Sequence, residues 1–390
     1  MRILTRALLL AGVVTVGAPA AVLAADEPAA APAAPAKPAA PSLGDVLDAS
    51  GIAINGYLDV AYSHLSGSGA FTSTVPDRVF DADGKSSFQV HQAAITIAKQ
   101  PKEGFGALVN LTAGDDADVI HSFDQTTSKF DLTQAYLQYA TGPLTIIGGK
   151  FVTLAGAEVI ASPSNTNFSR AILFGYAVPF THTGARATYA VNDQLSLIAG
   201  VNNGWDQLRD MNRQKTAELG ISFTPVKQFS LTAQGYSGDE VTSLSQNAQR
   251  NLFDLVATFN ATDALSFVLN YDYGTQDKFA SLVDGSSIKA KWTGWAGYVN
   301  FQLSEQWRLS VRGEYFDDKD GARTLVADSS GAGQKWKEGT VTVAYMPTKN
   351  TEFRGEYRYD KSNKLAFLDS DGVTAKDTQS SFALQGIYKF

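Results

Sequence analysis

Cysteine is absent from all 390 residues of this chain, which removes disulfides, thiolate metal ligands and thiol nucleophiles from any account of it. Histidine is nearly absent too: His64, His91, His121 and His182 are scattered, and no GxSxG elbow accompanies them, so nucleophilic hydrolysis has little support. No GxxxxGK[ST] phosphate loop occurs either. Past residue 50 no uncharged apolar run approaches the ~18 residues that a membrane helix needs, which excludes a helical membrane bundle. Basic residues are outnumbered, 32 to 39, and no basic face of the kind nucleic acid requires is legible, so no nucleic-acid partner is expected. Neither a cofactor nor a metal site is expected.

What is present begins with Arg2 and Arg6, an apolar run from Ala7 to Ala18 and small residues around Val22 to Ala24. That is the layout of a secretory signal peptide over 1–24, with cleavage expected after Ala24; an uncleaved membrane helix is the rival, but the run is short for one. Residues 25–50 read as a periplasmic linker. The repeated prolines of DEPAAAPAAPAKPAAP (26–41) forbid helix and favour extended chain, and Ser42 to Ala49 can form one short amphipathic turn of helix.

From 51 to 390 the dominant signal is alternation. Phe382, Leu384, Gly386, Tyr388 and Phe390 share one parity, against Ser381, Ala383, Gln385 and Lys389 on the other; Ile387 is the exception and is expected to face inward. The same split separates Trp307, Leu309, Val311 and Tyr315 from Arg308, Ser310, Arg312 and Glu314. One apolar and one polar face, repeated at period two, describe strands set between lipid and water. Tight turns such as those at 140–143, 225–227 and 346–349 alternate with long polar connections. Outer-membrane barrels have that asymmetry, with short periplasmic turns and long external loops. The fold expected is all-β: a transmembrane antiparallel β-barrel of about sixteen strands, enclosing an aqueous lumen. A soluble propeller is the weaker alternative, because its blades would not need rows of outward aromatics.

The run GKFVTLAGAEVIASPSNTNFSRAILFGYAVPFTHTGARATYAVNDQLSLIAGVNNGWD (149–206) resembles the β-barrel porin-2 family of bacterial outer-membrane proteins, as do GYLDVAYSH (56–64) and FDLTQAYLQYA (130–140). The resemblance implies a bacterial outer-membrane porin, with outer-membrane lipid and small hydrophilic solutes as its partners. It also implies, by analogy with general porins, a third external loop that folds into the pore, and by analogy with porins of this strand number a homotrimer. In outer-membrane barrels a last strand ending in Phe is read by the barrel-assembly machinery, and Tyr388 and Phe390 match that signal; Gly386 sits one place from the usual glycine.

The third long connection, about 152–179, is unusually apolar for an external loop, with Leu154, Val159, Ile160, Phe168, Ile172, Leu173 and Phe174. Those side chains need somewhere to pack, which favours insertion into the barrel; a lid or subunit contact is the alternative. Inserted, the loop brings Glu158, Asn165, Asn167 and Arg170 to the constriction, facing Arg186, Arg308, Arg312, Arg354 and Arg358 on the wall by parity. Such residues can set ion preference, or they can be cross-strand ion pairs that stiffen the interior. Aspartates at 77, 81 and 83, at 115, 116 and 118, and at 317, 318 and 320 sit in external loops, where solvated charge is favoured over divalent-cation binding. The function expected is passive diffusion of small hydrophilic solutes or ions, not catalysis. A substrate-specific channel is the alternative, and an outer-membrane barrel enzyme or an envelope anchor fits less well.

Overall fold

The computed structural model describes residues 42–67, 80, 86–123, 125, 129–240, 247–328 and 331–390. The expected signal peptide, the Ala/Pro segment through Pro41, and Asp77, Asp81 and Asp83 lie outside the described residues.

A short helix, α1 (Leu43–Ser50), precedes the first strand. Ser42 starts it: its Oγ accepts from the Asp45 backbone N–H at 3.2 Å while the Asp45 carboxylate accepts from the Ser42 N–H at 2.8 Å. That reciprocal pair satisfies donors that a helix start leaves unpaired.

Each alternating segment then forms a strand. In chain order these are β1 (Ala53–Leu65), β2 (Ser87–Lys99), β3 (Gly104–Ala113), β4 (Phe130–Thr141), β5 (Leu144–Val152), β6 (Thr181–Ala190), β7 (Leu195–Asn202), β8 (Thr216–Val226), β9 (Phe229–Glu240), β10 (Ala248–Asn260), β11 (Leu265–Ala280), β12 (Ser287–Gln302), β13 (Trp307–Asp318), β14 (Gln334–Thr348), β15 (Thr351–Ser362) and β16 (Thr378–Lys389). Every strand pairs antiparallel with its sequence neighbour, and β16 pairs back onto β1, from Tyr57↔Lys389 to Leu65↔Ser381. The result is the expected closed sixteen-strand barrel. At the seam the backbones of Gly56 and Phe390 exchange two hydrogen bonds of 2.9 Å. The Phe390 ring lies over Gly56, where a side chain would collide with it.

Period-two alternation becomes an inside and an outside. Leu58, Ile97, Val109, Leu137, Leu219, Leu269, Val311 and Val343 are exposed on the outer wall, with Phe301, Trp307, Phe353, Tyr357 and Tyr388 among the exposed aromatics. An apolar band this extensive is stable only against lipid. The opposite parity puts Asp59, Glu218, Asp254, Asp272, Arg312 and Glu356 inside, all buried, and Ile387 is buried with them at 2% exposure, as its parity exception requires. Among the described residues no helix is long and apolar enough to cross a membrane.

One rim carries tight turns; the other carries long connections. Gly142 makes the turn between β4 and β5 at φ +51°, a left-handed conformation that glycine adopts without strain. At the loop rim two small hairpins form sheets of their own, Ala327–Asp328 with Gly331–Ala332 and Phe367–Leu368 with Ala375–Lys376.

A charge on the outer wall must be carried into hydrocarbon. Val341→Arg, at the middle of β14 and exposed on the outer wall, is expected to lower folding stability in bilayers by about 2–4 kcal/mol relative to Val341→Ala. Reversible denaturant titration in lipid vesicles checks it, and equal stability of the two variants would place that face out of lipid.

Candidate functional site

The third long connection, residues 153–180 between β5 and β6, turns into the barrel. A chain segment without regular structure still has a donor and an acceptor on nearly every residue, and where it is buried against a wall those groups need partners there. The wall supplies the partners. Arg312 on β13 donates from Nη1 to the Ser169 carbonyl at 2.7 Å and from Nη2 to the Ser169 hydroxyl at 3.0 Å. Arg354 on β15 donates to the carbonyls of Asn165 at 2.7 Å and Asn167 at 3.0 Å. Arg358 donates to the Arg170 carbonyl at 2.6 Å.

Carboxylates do the converse. Glu356 accepts from the backbone N–H groups of Phe168 and Ser169 at 2.6 and 2.9 Å, and Glu314 from those of Ile172 and Leu173 at 2.8 and 3.2 Å. Past the seam, three strands round the wall from β15, Gln92 on β2 donates to the Ile160 carbonyl at 2.8 Å and accepts from the Ser162 N–H at 3.2 Å. Where the loop returns to the wall, Asp206 accepts from Phe180 and Thr181 at 2.7 and 3.0 Å.

The apolar side chains pack as their composition demands. Ile172, Leu173, Phe174, Tyr176, Val178 and Phe180 join one buried cluster with Trp205, Trp292, Phe316 and Trp336 of the wall and its adjoining connections. A π-helical turn, Leu173–Ala177, carries the middle of that set, and Trp292 Nε1 donates to the Ala177 carbonyl at 3.1 Å. Fully burying a large apolar side chain contributes about 1.5–3 kcal/mol, so this cluster and the polar contacts hold the loop from two sides.

The residues expected at the constriction meet here, but in pairs and under cover. Glu158 accepts from Arg312 Nη1 at 2.7 Å and from the Ala171 N–H at 2.7 Å, with 5% of its surface exposed. Acidic loop and basic wall therefore form one ion pair, and Arg312, 1% exposed, is shared with Glu338 at 3.1 Å. Asn165 and Arg170 brace the loop internally: Asn165 exchanges hydrogen bonds with the Val159 backbone at 2.8 and 2.9 Å, and Arg170 donates to the carbonyls of Ile160 and Phe168 at 2.8 and 3.0 Å. Asn167 donates to Thr342 Oγ1 at 2.7 Å.

On the wall, Arg354 pairs with Glu352 at 2.7 Å, and Arg358 pairs with Asp360 at 2.8 Å. Arg186 lies apart from the other arginines, bonded to Glu218 at 2.9 Å and stacked over the Phe151 ring at 4.3 Å. Arg308 sits lowest, nearest the short-turn rim; it pairs with Glu352 at 2.6 Å and reaches the Thr166 carbonyl at 3.5 Å. Tyr388 and Phe390 are exposed on the outer wall at the seam.

Gln92, Asp206 and Trp292 also hold the loop and were not expected. Each is an ordinary inward or connecting residue in its own segment, and only the loop's path gives it a partner. In the second loop the aspartates hold a lysine: Lys129 Nζ lies 2.9 Å from both Asp115 and Asp118, and those two hydrogen bonds push its pKa well above the usual lysine value.

Three comparisons bear on this geometry. The family model described as "Putative beta-barrel porin-2, OmpL-like" matches residues 51–390. A search of the curated proteins finds no match. Solved structures share the fold at low identity. The in-vitro folded OmpT of Vibrio cholerae, in its trimer form, is 12% identical with a TM-score of 0.59, covering 87% of this chain and 99% of that one. The outer membrane channel DcaP of Acinetobacter baumannii is 13% identical with a TM-score of 0.58, covering 87% and 97%. An anion-selective porin from Comamonas acidovorans is 10% identical with a TM-score of 0.59, covering 87% and 99%.

The pinning contacts make a structural prediction. With Arg170 only 4% exposed, the bond after it is expected to resist trypsin in the folded protein. Glu356→Ala strands two buried N–H groups, a change worth about 2–6 kcal/mol at about 1–3 per group, and is expected to open that bond to cleavage while the barrel stays intact. Equal protection in both proteins would mean that the apolar cluster alone fixes the loop.

Proposed function

Because the chain belongs to the β-barrel porin-2 family, we propose that it works as a passive diffusion channel of the bacterial outer membrane, narrowed by its own third loop. The carrying observation is that loop, held inside a closed barrel by side chains from β2, β13 and β15. The short-turn rim is then periplasmic and the loop rim external. Below the loop, a cavity of about 620 Å³ opens at the periplasmic rim, lined by Thr166, Ser266, Asn300, Gln302 and Arg308 among others. Conduction needs no bound nucleotide or redox group, only a gradient and a polar path. The channel reading, and not catalysis, is what the family and the fold support.

We assign the arginine and carboxylate residues of the constriction the task of setting the position of the loop, and through it the width of the path. A homotrimer fits the outer wall. The two shortest strands are β5 and β7, of 9 and 8 residues, and the outward residues of β5–β8 include Gly148, Ala185, Ala187, Ala199 and Ala217, small enough for close approach of a neighbouring wall. Exposed aromatics such as Tyr271, Tyr273, Trp295, Trp307, Phe353 and Tyr357 crowd β11 to β15, where lipid interfaces favour them.

In planar bilayers the refolded protein is expected to give ohmic conductance that closes in three equal steps. Replacing residues 157–176 by a short Gly/Ser bridge is expected to raise the unit conductance by roughly two- to fivefold, since the loop occupies the lumen. Absence of conductance from both correctly folded proteins would overturn the channel.

A further inference from the structure

The charged side chains inside this barrel are largely engaged with loop 3 or with one another, which leaves the question of what a solute would touch. On the loop itself, both charged groups, Glu158 and Arg170, are buried, whereas Leu154, Val159, Pro163, Ser164 and Thr166 keep some surface. None of those five carries a charge.

The wall below the loop has the same character. Thr96, Asn110, Tyr136, Ser222, Thr232 and Asn300 are inward on strands from β2 to β12 and remain partly exposed. Their direction follows from register. Thr96 pairs with Asn110, whose Nδ2 donates to Thr96 Oγ1 at 2.8 Å. Ser222 pairs with Thr232 on the face that also carries Glu218 and Gln234, both buried. Tyr136 OH accepts from Gln100 Nε2 at 3.0 Å.

The charges that border this space are few and largely balanced. Arg308 is tied to Glu352 at 2.6 Å, Lys227 and Asp263 stand in two neighbouring turns with opposite sign, and Lys389 shares the inward parity of the last strand.

Resting on the channel reading above, we propose that the solute class is small neutral polyhydroxylated molecules, sugars and polyols, selected over ions of either sign. An ion entering a narrow lumen sheds hydration that only a counter-charge or an ordered set of dipoles replaces, and this path offers little net charge. A neutral polyol exchanges its water for hydroxyl and amide side chains that both donate and accept. Tyr57 and Tyr136, partly exposed on this wall, add ring surface for the apolar face of a sugar.

The test is liposome swelling with the refolded full-length protein, comparing glucose with gluconate and glucosamine, together with the reversal potential in a KCl gradient. Glucose is expected to enter at least about fivefold faster than either charged analogue, with potassium and chloride permeabilities within about twofold of each other. Asn300→Asp is expected to shift the reversal potential toward cations. A charged analogue entering as fast as glucose, or strong preference for one ion in the native protein, overturns the inference and leaves the channel standing. No swelling with any solute and no conductance overturns the channel as well.

Discussion

One constraint runs through this structure: a backbone donor or acceptor shut away from water must find a partner within the protein. A sheet meets it only by closing, and here closure comes where β16 pairs with β1 and Gly56 exchanges backbone hydrogen bonds with Phe390. Loop 3 meets the same constraint without a sheet. Its backbone between Asn165 and Leu173 runs past arginines that donate to its carbonyls and glutamates that accept from its N–H groups.

That substitution explains why so much charge is buried. An ion pair taken out of water is weak evidence for stability, because desolvation offsets most of the attraction between its members. Arg312 and Glu158, 2.7 Å apart, would therefore be a poor device for stability alone. Their advantage is directional. A guanidinium serves several acceptors in one plane, and Arg312 spans Glu158, Ser169 and Glu338 at once, so the loop is held in one position and not merely held.

The barrel was legible in the sequence because its information is local. Alternation around Trp307 to Tyr315, or Phe382 to Phe390, needs no knowledge of any other segment, and Ile387 was recognisable as an inward residue from parity alone. The insertion of loop 3 was legible too, since Ile172, Leu173 and Phe174 could not rest in water. What each polar side chain does was not. Glu158 and Arg312 are separated by 154 positions and Phe168 and Glu356 by 188, and no local pattern marks which residues a loop will meet once inside. Gln92 is the clearest case, an unremarked glutamine in β2 whose amide closes two loop contacts.

Pinning and selectivity compete for the same side chains. A charge facing open water in a lumen acts on passing ions over about a Debye length, ~8 Å at physiological ionic strength, whereas a charge in contact with its opposite presents little more than a dipole beyond that contact. By engaging Arg312, Arg354 and Arg358 with carboxylates and loop carbonyls, the fold uses those charges for position and leaves hydroxyls and amides as the surface that water reaches. The inward faces of β2, β3, β8 and β9 nearer the short turns, remote from those arginines, carry Thr96, Asn110, Ser222 and Thr232. The charged sector of the interior is β13 and β15, where the loop is held, and the parts of β2, β3, β8 and β9 that hold nothing carry hydroxyls and amides.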